Sequence, residues 1–123
     1  MAKLLAIIPD LIFSTKVFST ARSLGVEIVG ARTPEIIAQR LDAEPIELVI
    51  LDLNATTLDP IAAIRQIKDH AKSPKIVAFL SHVQVELGQQ AKEAGADQVM
   101  ARSGFVVQLP AILERMKEAH PEG

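Results

Sequence analysis

The stretch LVILDLN, residues 48–54, decides the fold that the sequence predicts. Residues 48–51 are apolar without alternation, which is typical of a strand buried on both faces in a parallel sheet covered by helices. Asp52 ends this apolar run, where a carboxylate is costly to bury unless it is paired, hydrogen-bonded or bound to a metal. An aspartate that only caps a helix or forms a turn is an equally good interpretation of the pattern.

Four further apolar runs of strand length lie on either side of this stretch, at residues 4–8, 26–29, 76–80 and 98–101. After each run, apolar residues recur at helical spacing, in segments that start near residues 11, 33, 59, 85 and 110. Strand and helix thus alternate five times, with short connections. This alternation predicts an α/β fold, a doubly wound five-stranded parallel sheet with helices on both faces.

Three helix boundaries carry residues that favour them. The pairs Thr33-Pro34 and Asp59-Pro60 each place an N-capping side chain before a proline at the first helical position. Gly25 stands where the C-terminal cap of the first helix is expected. These signals predict where the first helix ends and where the second and third begin.

The fourth and fifth helices are predicted on weaker patterns. Gly88 costs the fourth helix about 1 kcal/mol relative to alanine. The apolar face of that helix is thin, with Val85, Leu87 and Ala91. The fifth helix is predicted over about 110–119, because Pro110 is tolerated in a first turn.

Composition restricts the classes of protein to which the chain can belong. Its 123 residues have room for one domain, predicted over residues 1–119 with a frayed tail at 120–123. Apolar residues at 49% and charged residues at 23% exclude a disordered chain. The net charge of −2, without runs of like charge, argues against binding to nucleic acid or a membrane surface. The lack of cysteine and of a long apolar N-terminal run predicts a cytoplasmic protein without disulfides.

Polar residues follow the predicted strands at their carboxyl ends, the edge at which doubly wound sheets bind ligands. Asp10 follows the first strand, Asp52 and Asn54 the third, Ser81 the fourth and Arg102 the fifth. Carboxylates, a hydroxyl and a cation at one edge can hold a divalent cation and a phosphoryl group, since Mg²⁺ is usually bound through one or two carboxylates and phosphate oxygens. The turn at 102–104 could form an anion-binding concavity or be a solvated connection.

At these residues the chain resembles the receiver domain of two-component response regulators, over residues 3 to about 118. The matching features are the segment 49–54, Ser81 and the turn at 95–97 before the fifth strand. The resemblance implies a flavodoxin-like sheet of order 2-1-3-4-5. It implies that Asp52 is the phosphoacceptor and that Ser81 and Arg102 hold the phosphate. It also implies Mg²⁺ bound by Asp10, Asp52 and the backbone carbonyl of Asn54, and a sensor kinase or other signalling protein as partner.

Several positions depart from the receiver pattern. The acidic pair after the first strand is Pro9-Asp10, so one carboxylate is lost and Mg²⁺ binding is expected to be weak. Arg102, followed by Ser103 in place of the usual proline, replaces a lysine whose compact ammonium a planar guanidinium does not mimic. Val99 stands where an aromatic ring normally reports the phosphate state, and His82 crowds the position of a small residue. These changes predict atypical or weakened switching.

The sequence supports three functional interpretations. The first is a phosphorelay receiver, not an enzyme, that acts through a separate partner. The second is a pseudo-receiver that binds proteins without phosphorylation. The third is a small flavin- or nucleotide-binding protein, which stays open only because a fold does not fix a function.

In the first two interpretations, the fourth helix, fifth strand and fifth helix are expected to dock the partner or a second copy of the chain. Residues 84–94 are expected to be the mobile part of that face. The histidines are expected at the surface, since none has a partner at metal-ligand spacing; they are His70, His82 and His120.

Overall fold

The computed structural model describes residues 2–81 and 84–118. Within those ranges five strands and five helices alternate. The strands are β1 Lys3–Ile7, β2 Glu27–Gly30, β3 Ile46–Asp52, β4 Lys75–Leu80 and β5 Gln98–Ala101. The helices are α1 Leu11–Ser23, α2 Pro34–Ala43, α3 Pro60–Asp69, α4 Val85–Ala94 and α5 Arg102–Glu118.

The five strands form one parallel sheet in the order β2-β1-β3-β4-β5, which confirms the predicted fold and strand order. The register brings the carboxyl ends of the central strands together. Ile7 at the end of β1 pairs with Leu51, and Asp52 at the end of β3 pairs with Phe79 on β4. Asp52 therefore lies at the carboxyl edge of the central strand.

Each face of the sheet carries its own apolar layer. Val49 and Leu51 of β3 pack into the layer that also contains buried residues of α2, α3 and α4, whereas Leu48 and Ile50 pack into the layer of α1 and α5. Alternate residues of a strand point to opposite faces, so a run that is apolar throughout fills both layers. This arrangement confirms the doubly wound architecture predicted from residues 48–51.

Helix capping follows the sequence signals. Thr33 caps α2 by accepting from the N–H of Ile36, with Pro34 as the first helical residue. Asp59 caps α3 in the same way, again with proline at the first position. Gly25 follows the end of α1 with φ of 77°, a left-handed conformation that glycine adopts without steric cost.

The prediction for the fifth helix was wrong at its start. The helix begins at Arg102 rather than Pro110, so residues 102–104 form its first turn and not a loop between β5 and the helix. Pro110 lies inside the helix and has no N–H to donate, so one helical hydrogen bond is missing there. Because Pro110 is exposed, this gap lies on the solvent side of the helix. Buried Phe105 and Leu109 extend the apolar stripe of Ile112 and Leu113 across the proline, and this packing outweighs its cost.

The prediction for the apolar face of α4 was wrong at one residue. Val85, predicted on that face, is exposed. His82, His120 and the predicted tail at 120–123 lie outside the described residues. None of the helices in the described ranges has the length and apolar character that a membrane span requires.

Candidate functional site

The carboxyl edge of the sheet gathers the predicted site residues. Asp10 follows β1, Asp52 ends β3, Ser81 follows β4 and Arg102 follows β5. Arg102 reaches Asp10 across 92 positions of sequence, and the charges of both act on Asp52. The parallel sheet thus places at one edge the side chains that the sequence predicted there.

Asp10 has both carboxylate oxygens engaged. Oδ1 caps α1 by accepting from the backbone N–H groups of Ile12 at 3.0 Å and Phe13 at 3.1 Å. Oδ2 accepts from Nη2 of Arg102 at 3.2 Å. The Phe13 N–H and then the Arg102 guanidinium hold the pKa of Asp10 below its ordinary value. The capping role was not predicted for Asp10, although an aspartate just before a helix is its usual sign.

Arg102 is held from a second direction by an aromatic ring. Its guanidinium carbon lies 4.0 Å from the centroid of the Phe13 ring and 5.9 Å from that of Phe79. Phe79 and Phe105 stack at 4.8 Å between centroids, and Phe13 meets Phe79 edge-on at 5.2 Å. A planar guanidinium suits stacking on a ring and pairing with a carboxylate together, which a lysine does less well.

Asp52 is a buried carboxylate, 8% exposed. Its Oδ1 accepts from the backbone N–H of Asn54 at 2.8 Å, in the local turn that follows β3. Burial raises the pKa of Asp52 above its ordinary value. The Asn54 N–H and the charge of Arg102 oppose the rise, and the charge of Asp10 adds to it. Asp52 thus forms the turn that one interpretation of the sequence predicted, and it is also buried at the carboxyl edge of the sheet.

The side chain of Asn54 bridges two loops. Its Oδ1 accepts from the backbone N–H of Ser81 at 2.6 Å and from the Ser81 hydroxyl at 2.9 Å. Its Nδ2 donates to Oε1 of Gln84 at 2.8 Å, at the start of α4. The sequence predicted only a backbone role for Asn54 and none for Gln84. No motif links the two residues, because the contact depends on β3 and β4 being neighbours.

The fit of a divalent cation can be judged from these donors. The carboxylates of Asp10 and Asp52 and the carbonyl of Asn54 are hard oxygen donors of the kind Mg²⁺ prefers. In the described part of the chain no three or more acidic, histidine or cysteine residues are grouped so as to hold a metal. Asp10 already pairs with a cation. The donor atoms are therefore of the type that Mg²⁺ prefers, but only two carboxylates supply them, and that of Asp10 is paired with Arg102.

Val99 lies on β5, three positions before Arg102. It is partly buried and packs against the layer of α2, α3 and α4. A methyl group added at Gly88 on α4 would lie 3.7 Å from Cγ1 of Val99. Val99 therefore lies close to Gly88 of α4, with no aromatic ring at this position of β5.

The sequence matches the response regulator receiver domain over residues 10–114. The chain therefore belongs to this family, the receiver domains of two-component signalling. No curated protein matches it significantly.

Solved structures of receiver domains share the fold. A CheY-like receiver domain protein from Methanospirillum hungatei superimposes with a TM-score of 0.79 at 17% identity, covering 99% of this chain and 95% of its own. The BeF3-activated DrrB receiver domain gives 0.78 at 22%, covering 96% and 98%. The receiver domain of a sensor histidine kinase from Pseudomonas aeruginosa, with magnesium coordinated in its active-site cleft, gives 0.78 at 18%, covering 92% and 94%.

Proposed function

We propose that this receiver domain accepts a phosphoryl group on Asp52 within a two-component phosphorelay, with weakened switching. The observation that carries the proposal is the placement of Asp52. It is a buried carboxylate at the carboxyl end of the central strand, within the electrostatic influence of Arg102. A carboxylate buried at this cost, on the edge where doubly wound sheets bind ligands, is better explained by a reaction than by a turn alone.

The reaction needs positioning more than elaborate catalysis. A carboxylate oxygen of Asp52 attacks the phosphorus of a donor, the bond from phosphorus to the leaving group breaks, and the leaving group departs with the bonding electrons. The product is an acyl phosphate on Asp52. Arg102 offers N–H donors to the phosphoryl oxygens, and the Ser81 hydroxyl offers another if it turns from Asn54. In this account no residue other than Asp52 forms a covalent bond.

We also propose weak binding of Mg²⁺ by Asp10, Asp52 and the backbone carbonyl of Asn54. When bound, the ion would neutralise negative charge on the phosphoryl oxygens. Binding would be weak because one of the two acidic positions after β1 is Pro9, and because Asp10 is paired with Arg102. The protein side of the site is then Asp52 as nucleophile, with Arg102 and Ser81 as phosphate ligands.

A titration with beryllofluoride and Mg²⁺, followed by amide NMR, tests this site. Beryllofluoride binds to carboxylates as an analogue of the phosphoryl group, so we expect shifts at Asp52, Ser81 and Arg102. Asp52→Asn should abolish these shifts, whereas Asp42→Asn, at an exposed carboxylate on α2, should leave them intact. Equal shifts in Asp52→Asn would contradict the proposed site.

A pseudo-receiver is the second candidate function, and one observation favours it. Arg102 is held by Asp10 and Phe13, so the cation that would meet a phosphate is engaged elsewhere. With Val99 in place of a ring, such a protein would bind its partner without phosphorylation. Complete absence of beryllofluoride binding, with partner binding retained, would favour this candidate over the first.

The proposed partner is a sensor kinase or another signalling protein, met in the cytoplasm, and the domain would not act as an enzyme or bind nucleic acid. The docking face would consist of α4, β5 and α5, which could also join two copies of the chain. Exposed Val85 on α4 and Val107 on α5 support apolar contacts on these helices.

A further inference from the structure

Both oxygens of the Asp10 carboxylate have partners within the protein. One oxygen of Asp10 is committed to the first N–H groups of α1, and the other pairs with the guanidinium at 3.2 Å. A divalent cation at this carboxylate would lie a few ångströms from a full positive charge. Like charges at such separation repel strongly where the surroundings are only partly hydrated.

The position of the guanidinium does not depend on the carboxylate alone. Arg102 lies over the face of Phe13, and that ring is fixed by contacts with Phe79 and Phe105. The side chain of Arg102 is about one-third exposed, so the pair is accessible to ions from solution. The arginine is thus oriented towards Asp10 by the aromatic cluster as well as by charge.

We infer that Arg102 is an internal counter-ion that competes with a divalent cation for Asp10. Metal binding and release of the guanidinium from Asp10 are then one linked exchange. This inference deepens the proposed function, on which its last step rests, because a released guanidinium can turn to the phosphoryl group on Asp52. Arg102 therefore sets the metal affinity of the resting domain.

Linkage makes the exchange reciprocal. If metal at Asp10 releases Arg102, the free guanidinium binds an anion more tightly. That anion must then strengthen metal binding by the same factor. A phosphoryl group on Asp52 is such an anion. The resting domain would thus bind metal weakly, and the phosphorylated domain would bind it more tightly.

Calorimetric titration with MgCl₂ alone tests the competition. We expect Arg102→Ala to bind Mg²⁺ about tenfold or more tightly than the wild type, because a full positive charge leaves the immediate surroundings of the ion. Adding Asp52→Asn to this variant should abolish the gain, which locates it at the site.

Arg22→Ala is the matched control. Arg22 also lies over a phenylalanine, with its guanidinium carbon 5.6 Å from the centroid of the Phe18 ring, at the end of α1 remote from Asp10. It should bind Mg²⁺ like the wild type. An affinity in Arg102→Ala that is unchanged or weaker, or an equal gain in Arg22→Ala, would overturn the inference.

A measurement on the wild type keeps the test valid if Arg102→Ala does not fold. Saturating Mg²⁺ should shift the side-chain Nε–H resonance of Arg102 and leave that of Arg22 in place. An Arg102 resonance that stays fixed while Mg²⁺ binds would overturn the inference. Neither the calorimetric affinity nor the Arg102 resonance requires a phosphoryl donor. Failure of Asp52 to accept phosphate would therefore reject the proposed function, and these two measurements would still decide whether Arg102 competes with Mg²⁺ for Asp10.

Discussion

At the scale of single residues, Asp52 couples the proposed chemistry to stability. Burial raises its pKa in the folded protein, so the folded state holds the proton more tightly than the unfolded state does. Ionising Asp52 therefore costs folding free energy. The cost is absent below the pKa of the unfolded chain, grows as pH rises to the folded pKa, and is complete above it. The domain therefore loses stability as pH rises through this range.

Asp52→Asn should accordingly stabilise the domain at pH 7, by on the order of 1 kcal/mol. An asparagine oxygen can still accept from the Asn54 N–H, so the turn after β3 is kept. The gain should shrink as pH falls and vanish below the pKa of an unperturbed aspartate. Urea unfolding of both proteins at several pH values measures it.

Asp42→Asn provides the control for this change, because the Asp42 carboxylate is 74% exposed. It should show no comparable gain at pH 7. Destabilisation by Asp52→Asn at pH 7 would mean that the surroundings favour the charged carboxylate, contrary to this account.

At the scale of elements, α3 and α4 differ in what holds them. Asp59 caps α3 through the N–H groups of Ile61 and Ala62, whereas Gln84 makes no capping bond to α4. The buried residues of α3 are Ala63, Ile64 and Ile67, and the one described for α4 is Ala91. The differences in capping and burial make α4 the weaker of the two helices.

The amide of Asn54 reaches Gln84 and ties the start of α4 to the loop after Asp52. The contact with Asn54 places its start next to the candidate site.

Hydrogen exchange should therefore be faster for the amides of α4 than for those of α3. Gly88→Ala should slow it, because alanine favours the helix by about 0.5–1 kcal/mol. The added methyl would lie 3.7 Å from Val99, an ordinary contact.

Gly104→Ala makes the same substitution in α5, where a methyl would meet nothing within 4 Å. It should leave exchange in α4 unchanged. Exchange in α4 as slow as in α3 would remove the basis for a mobile α4.

The same elements show what the sequence could predict. Apolar runs without alternation predicted the parallel sheet, and Thr33-Pro34 and Asp59-Pro60 marked the starts of α2 and α3. The start of α5 was missed because local propensity treats Pro110 as a helix start, whereas the packing of Phe105 and Leu109 carries the helix through it. Tertiary contact overrode the local signal.

Site contacts were harder to predict than site positions. The strand ends placed Asp10, Asp52, Ser81 and Arg102 at one edge, since that follows from a parallel sheet. The pairing of Arg102 with Asp10 depends on the ring of Phe13 and on the path of α5. Such contacts arise only when distant elements pack, so residue spacing does not indicate them.

At the scale of the whole molecule, the candidate site adjoins the proposed docking face. Arg102 is the first residue of α5, and Gln84, which Asn54 contacts, directly precedes α4. Asn54 links the loop after Asp52 to the start of α4, and a methyl group added at Gly88 of α4 would lie 3.7 Å from Val99 of β5. Hydrogen bonds therefore connect Asp52 to the start of α4 through Asn54 and Gln84, a route that does not pass through Val99. The strength of that route depends first on whether Asp52 is modified at all.

Intact mass spectrometry after incubation with Mg²⁺ and a small phosphoryl donor tests that central claim most directly. We predict a mass gain of one phosphoryl group on the wild type, none on Asp52→Asn, and the same gain on Asp42→Asn as on the wild type. Absence of the gain from the folded wild type, or its persistence in Asp52→Asn, would contradict phosphorylation at Asp52.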